Sequence, residues 1–119
     1  MERVKTFDAY STASQAYRDC PKTIQYSVEG LTEEAGEVAG KLKKFWRDKV
    51  YLFPERYELN NPPEDVKEGI LKELGDVLWY VNDMALLLGY SLEDVANINI
   101  NKLYGRVERG TIHGQGDDR

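Results

Sequence analysis

Two pairs of carboxylates in this sequence have the spacing of metal ligands. Glu34 and Glu37 lie three positions apart in Gly30-Leu31-Thr32-Glu33-Glu34-Ala35-Gly36-Glu37, and Glu73 and Asp76 lie three apart in Glu73-Leu74-Gly75-Asp76. Residues i and i+3 share a helix face, so each pair makes a two-pronged clamp if its segment is helical. Two such helices side by side bring four carboxylates together. Like charges a few Å apart oppose their own ionisation, and divalent cations are the natural counter-charge. The set is all oxygen: the single cysteine, Cys20, and the single histidine, His113, fall outside both segments. Oxygen donors favour Mg²⁺ or Mn²⁺ over zinc, and Mg²⁺ held by carboxylates completes its shell with water and substrate phosphate. Two ions would let one activate water while the other neutralises leaving phosphates. The same spacing also suits a solvated face on which Lys41, Lys43, Lys44 and Lys72 simply pair with the acids, and spacing alone does not choose.

The elements that must position these acids follow from periodicity. Phe7, Tyr10, Ala13 and Tyr17 recur at helical spacing and predict a first helix over 4–18, stopped by Pro21. A long second helix is expected from Lys22 to about Asp48. Its stripe Ile24, Val28, Leu31, Ala35, Val38, Leu42 and Phe45 advances by alternating fours and threes. Gly30, Gly36 and Gly40 weaken that helix but permit close approach of another helix or, at Gly36 between Glu34 and Glu37, of a phosphate. Residues 49–63 have no period and end in Pro62-Pro63; a connection of that length is often functional. Its aromatics, with Trp46, either line a base pocket or anchor the loop itself. Pro63-Glu64-Asp65 starts a third helix that runs to about Leu88, with Gly89 as its left-handed terminator. Asp76, Tyr80 and Asp83 share one face of it with Glu73. Ser91 caps a fourth helix reaching about Val107, on which Asn99, Lys102 and Arg106 follow one another on one side. The segment 109–119 is a glycine-rich tail. The expected class is all-α, a four- to five-helix bundle in a single domain over 1–119, with no significant sheet.

Bulk properties narrow the partners. With 16 Lys and Arg against 21 Asp and Glu, the net charge of -5 disfavours a duplex nucleic-acid partner. A small phosphorylated ligand held through metal remains open. The opening Met1-Glu2-Arg3-Val4-Lys5 carries no signal-peptide core and the apolar run 84–88 is too short for a membrane span, so a cytoplasmic setting is expected. A lone cysteine allows no intrachain disulfide.

The ordered set Glu33-Glu34-Ala35-Gly36-Glu37, then Glu73-Leu74-Gly75-Asp76, then Asn99, Lys102 and Arg106 resembles the MazG-like family of all-α nucleoside triphosphate pyrophosphohydrolases. The likeness spans roughly 20–110 and includes Asp76-Val77-Leu78-Trp79-Tyr80. The ending Arg109-Gly110-Thr111-Ile112-His113-Gly114-Gln115-Gly116-Asp117 resembles single-domain members from bacteria and their phages. The resemblance implies hydrolysis with Mg²⁺ or Mn²⁺, two or more ions per site, between the α- and β-phosphates of a nucleoside triphosphate. It implies Glu34, Glu37, Glu73 and Asp76 as metal ligands. Glu33 would join a further metal or orient the attacking water, and either Glu33 or Glu37 would accept its proton. Lys102 and Arg106 would hold phosphates and Asn99 the sugar or a phosphate. Tyr80 would contact sugar or base, and Asp83 would read donors on the base. The family also implies a homodimer or homotetramer. A deoxynucleotide is expected, with dGTP slightly favoured over dUTP, dCTP or a damaged nucleotide. A non-catalytic, partner-binding helical protein is the alternative from another class.

Overall fold

A computed structural model describes residues 3–119; Met1 and Glu2, which begin the polar opening segment, lie outside the described residues. The chain folds as α1 (Phe7–Gln15), α2 (Ile24–Phe45), α3 (Glu64–Leu87) and α4 (Leu92–Glu108). Among the described residues no strand forms, only an isolated bridge between Glu58 and Asn61. The all-α class is as expected, with four α-helices. The residues group into two compact units, one of Cys20–Met84 and one of Met1–Asp19 together with Ala85–Arg119.

Local chemistry sets the helix ends. Thr6 and Thr23 each accept a backbone N–H three residues on, at 3.1 Å, and so begin α1 and α2. The first helix is therefore shorter than 4–18, because the Thr6 hydroxyl satisfies the amide of Ala9 and places Thr6 itself in extended backbone. Ser91 and Asp94 form a reciprocal capping box that opens α4. α3 ends where Gly89 turns left-handed (φ 85°) and the Tyr90 amide donates back to the Ala85 carbonyl at 2.9 Å. α2 does not stop cleanly. Its last turn widens over Trp46–Val50, where the Tyr51 amide reaches the Trp46 carbonyl at 2.8 Å, five residues back.

Within the unit Cys20–Met84, α2 and α3 run antiparallel and their contacts advance in step. Ser27 meets Asp83. Gly30 faces the Tyr80 ring, and Glu34 meets Asp76. Lys41 lies against both Glu73 and Gly69. The steps Ser27, Gly30, Glu34 and Lys41 on α2 are matched by equal steps back through Asp83, Tyr80, Asp76 and Gly69 on α3, which is heptad-like packing. The apolar stripe of α2 lies beside this seam rather than in it: Ile24, Val28 and Leu42 are exposed, as are Leu71, Leu74 and Leu78 of α3. The buried apolar residue of this unit is Phe45, edge-on to Tyr57 at 6.2 Å. In the other unit α1 packs on α4, and Ala85 and Leu92 are buried.

Candidate metal centre

The seam brings three of the four expected ligands together. One carboxylate oxygen from each of Glu34, Glu73 and Asp76 can be chosen so that all lie within 4.8 Å of one another. Glu34 comes from α2 and the other two from α3, so the antiparallel pairing itself builds the cluster. Burial, then the charges of Asp76, Glu73, Glu33 and Glu37, push the Glu34 carboxyl above its ordinary value. Glu37 and Glu33 are thus near enough to act on Glu34, but they stand outside the tight group of three. One cation approaches: Lys41 Nζ is 3.7 Å from Glu73 Oε1. The solvated-pair reading of the acids is realised at that contact alone among the four lysines, since Lys72 turns to Glu68 at 3.4 Å. A half-exposed, all-oxygen, mutually repelling cluster fits a hard divalent cation, whose remaining positions would face water or phosphate.

Tyr80 and Asp83 continue up the same face of α3. A Cβ at Gly30 would overlap the Tyr80 ring, so glycine at this position admits the ring between the helices. Tyr80 also packs on Tyr26, with ring centroids 6.3 Å apart. Burial, and then the Tyr26 hydroxyl, push its phenol up to about 12, so it remains a hydrogen-bond donor at neutral pH. Gly36 and Gly40, by contrast, face open space. Asp83 is 1 % exposed and accepts the Ser27 hydroxyl at 2.6 Å, so its carboxylate is turned into the helix pair.

The expected phosphate cations belong to the other unit and are already engaged there. Lys102 Nζ lies 3.3 Å from Asp117 Oδ1, and Arg106 Nη2 lies 3.3 Å from the same oxygen. Arg106 is 7 % exposed and also donates to the carbonyls of Gly116 and Asp117. Arg119 donates to the Thr111 and Ile112 carbonyls, and left-handed Gly110 and Gly116 turn the chain back. The glycine-rich tail is therefore a tied loop on α4. Asn99 is exposed on α4.

The connection over 49–63 is anchored by its own aromatics. Arg56 stacks over Phe53 and Tyr57, each at 5.9 Å, and Lys49 over Tyr57 at 5.8 Å. Trp46 packs on Tyr51 at 5.2 Å.

Three features escape a reading of the sequence alone. Ser27 sits outside the apolar stripe, and only its heptad spacing from Glu34 could have flagged it. The Gly30–Tyr80 fit needs the register between helices. The capture of Lys102 and Arg106 by Asp117 joins residues far apart in the chain.

The model of the MazG nucleotide pyrophosphohydrolase domain matches residues 22–111. The chain is 39 % identical over 101 residues to the Gene 37 protein of Mycobacterium phage L5, covering 85 % of this chain and 81 % of that one. No solved structure matches it. With an acid seam on paired helices and a family match over most of its length, the chain belongs to the MazG nucleotide pyrophosphohydrolase family.

Proposed function

We propose that this protein hydrolyses a deoxynucleoside triphosphate to the monophosphate and pyrophosphate, using Mg²⁺ or Mn²⁺ held by Glu34, Glu73 and Asp76, with Glu37 beside them. The carrying observation is the convergence of three carboxylates within 4.8 Å across two helices in a family of nucleotide pyrophosphohydrolases. A divalent cation bound there supplies Lewis-acid polarisation of a phosphate and a more acidic water. Glu33 or Glu37 takes the proton as water oxygen bonds to the α-phosphorus, and the bond to the bridging oxygen breaks, releasing pyrophosphate. Tyr80, kept protonated, donates to sugar or base. Lys102 is the proposed phosphate cation. Arg106 shares that role in the family pattern, while here its guanidinium holds the tail. The experiment is pyrophosphate release with Glu34→Gln and Asp76→Asn; a folded variant with full metal-dependent turnover would overturn the assignment.

The substrate preference rests on the resemblance of the tail to phage members of the family, and dGTP is our first choice. Pyrophosphate release across all (d)NTPs with each metal decides it, and activity confined to dUTP or dCTP ends the purine reading. We further propose a single functional domain that works as a homodimer or homotetramer in the cytoplasm of a bacterium or a phage-infected cell. The exposed Ile24, Val28, Leu71 and Leu74 support the assembly, because apolar area of that kind is stabilised by removal from water. Light scattering that gives only a monomer would remove it. Among the described residues no helix is long and apolar enough to cross a membrane.

A further inference from the structure

The residue pair that closes the α2–α3 seam is polar and fully enclosed. Ser27 is 0 % exposed and Asp83 1 %, and the serine hydroxyl donates to Asp83 Oδ2 at 2.6 Å. A hydroxyl that donates to a carboxyl oxygen at that distance makes a short, directional hydrogen bond. Burying it in place of two apolar side chains brings no hydrophobic gain, so what it supplies is direction. A carboxylate enclosed between helices accepts a hydroxyl in one relative placement of the two backbones, whereas apolar side chains tolerate sliding.

The placement it selects is the one that builds the acid cluster. Ser27 stands seven residues before Glu34 on α2, and Asp83 seven after Asp76 on α3. Both steps are two helical turns, about 10 Å along the axis. They run in opposite directions along antiparallel helices, so fixing Ser27 against Asp83 fixes Glu34 against Asp76. Mg²⁺ demands near-ideal oxygen geometry at about 2.0–2.1 Å. A shift of one helix along the other by a fraction of a turn would spread oxygens that now lie within 4.8 Å.

We infer that Ser27 and Asp83 are positioning residues for the metal centre: their buried hydrogen bond sets the α2–α3 register that makes Glu34, Glu73 and Asp76 converge. The inference rests on the proposed metal role of those acids. It gives Asp83 a task inside the helix pair rather than on the nucleotide base.

The test separates register from metal binding. Lys43→Cys and Lys72→Cys, exposed on α2 and α3, carry nitroxide labels in a Cys20→Ser background, diluted with unlabelled chain so that each pair reports one molecule. Without metal, the spin–spin distance distribution is narrow in the parent, broad in Ser27→Ala and close to the parent in Asp83→Asn, whose amide oxygen still accepts the hydroxyl. Mn²⁺ titration calorimetry on the unlabelled proteins then shows binding weakened about tenfold in Ser27→Ala, the scale of a lost outer-shell partner. Leu92→Ala, a destabilising change in the other unit, leaves both readouts as in the parent. A narrow distribution in Ser27→Ala overturns the inference whatever the metal does. So does parental Mn²⁺ affinity in that variant, or an equal loss in Leu92→Ala. Absence of stoichiometric Mn²⁺ binding by the parent, with the register shift intact, brings down the metal reading and the positioning role with it.

Discussion

The two units treat charge in opposite ways. On the α2–α3 seam, Glu34, Glu73 and Asp76 are gathered with Glu33 and Glu37 nearby, and Lys41 offsets them at one contact of 3.7 Å. On α4 the two cations Lys102 and Arg106 are matched: Asp117 answers both, and the Gly116 and Asp117 carbonyls accept further hydrogen bonds from Arg106 Nη2. Matched charge is what a chain uses to hold a loop in place. Gathered like charge opposes folding, and a chain that keeps it has another use for it. The contrast divides the molecule into a seam of gathered acids and a loop tied by matched charge.

The sharpest way to break that contrast is to neutralise the seam. Asp76→Asn or Glu34→Gln is expected to lower metal-dependent pyrophosphate release by a hundredfold or more, since metal stabilisation of the transition state is about several kcal/mol. The metal-free variant should nevertheless melt higher than the parent. The sign follows from Glu34, whose carboxyl is raised by burial and by its acidic neighbours. A carboxyl raised on folding favours the folded state while protonated, below its unfolded value, and that advantage is lost as pH rises through the raised one. The melting gain of Glu34→Gln should therefore be largest at neutral pH and fade as pH falls toward the ordinary glutamate range. Differential scanning calorimetry in chelator across pH reads it, and a variant that melts lower than the parent at neutral pH would mean the cluster is structural.

The opposite outcome is expected on α4. Arg106→Ala removes a buried guanidinium that donates to Gly116 and Asp117 carbonyls, a loss of about 1.5–3 kcal/mol for charged hydrogen bonds. Denaturant unfolding and limited proteolysis should show lower stability and early cleavage within 109–119. Lys102→Ala, with its half-exposed ammonium, should leave stability near the parent and weaken nucleotide binding. Equal stability losses in the two variants would erase the distinction between them.

How far the sequence discloses these features depends on whether the signal is local. Helix ends at Ser91 and Gly89, the all-α class and the acids themselves are carried by neighbours in the chain, where propensity and capping act. The seam is different. The apolar stripe of α2 points to one face, yet the contacts with α3 run through Ser27, Gly30, Glu34 and Lys41 beside it. Periodicity reports which side chains are apolar, and those are not the side chains that meet α3 here. Asp83 reads as a base contact because it shares a face with Asp76, but which neighbour that face meets is a matter of register. The tail has no period, so its closure through Arg106 and Arg119 stays hidden until α4 is in place.

Glycine substitutions sharpen the seam at smaller scale. Gly36→Ala and Gly40→Ala put a methyl in open space and should each stabilise α2 by up to about 1 kcal/mol. Gly30→Ala meets the Tyr80 ring and should yield no such gain, with Tyr80 displaced and nucleotide KM raised. If Gly36→Ala instead abolishes turnover while raising the melting temperature, a phosphate passes directly over that turn of α2. Thermal melts and steady-state kinetics on the three variants separate these cases.

The smallest effect belongs to Asp117, whose side chain is largely exposed although it faces two cations. Exposed ion pairs contribute little to overall stability, so Asp117→Asn should leave the melting temperature near the parent. Its mark is local and depends on pH. The Lys102 ammonium, first by hydrogen bond and then by charge, and after it Arg106, hold the Asp117 carboxyl below its ordinary value. A carboxyl depressed on folding adds stability above its unfolded value and loses it as pH falls through the folded one. Amide exchange in 110–119, taken relative to the intrinsic rate at each pH, should therefore quicken in the parent only as pH drops below the ordinary aspartate range. In Asp117→Asn it should be quicker at neutral pH and lack that acid transition. Identical exchange profiles for the two proteins would assign the hold on the tail to the Arg106 and Arg119 contacts with backbone carbonyls, and would leave Lys102 free to meet phosphate without a competitor.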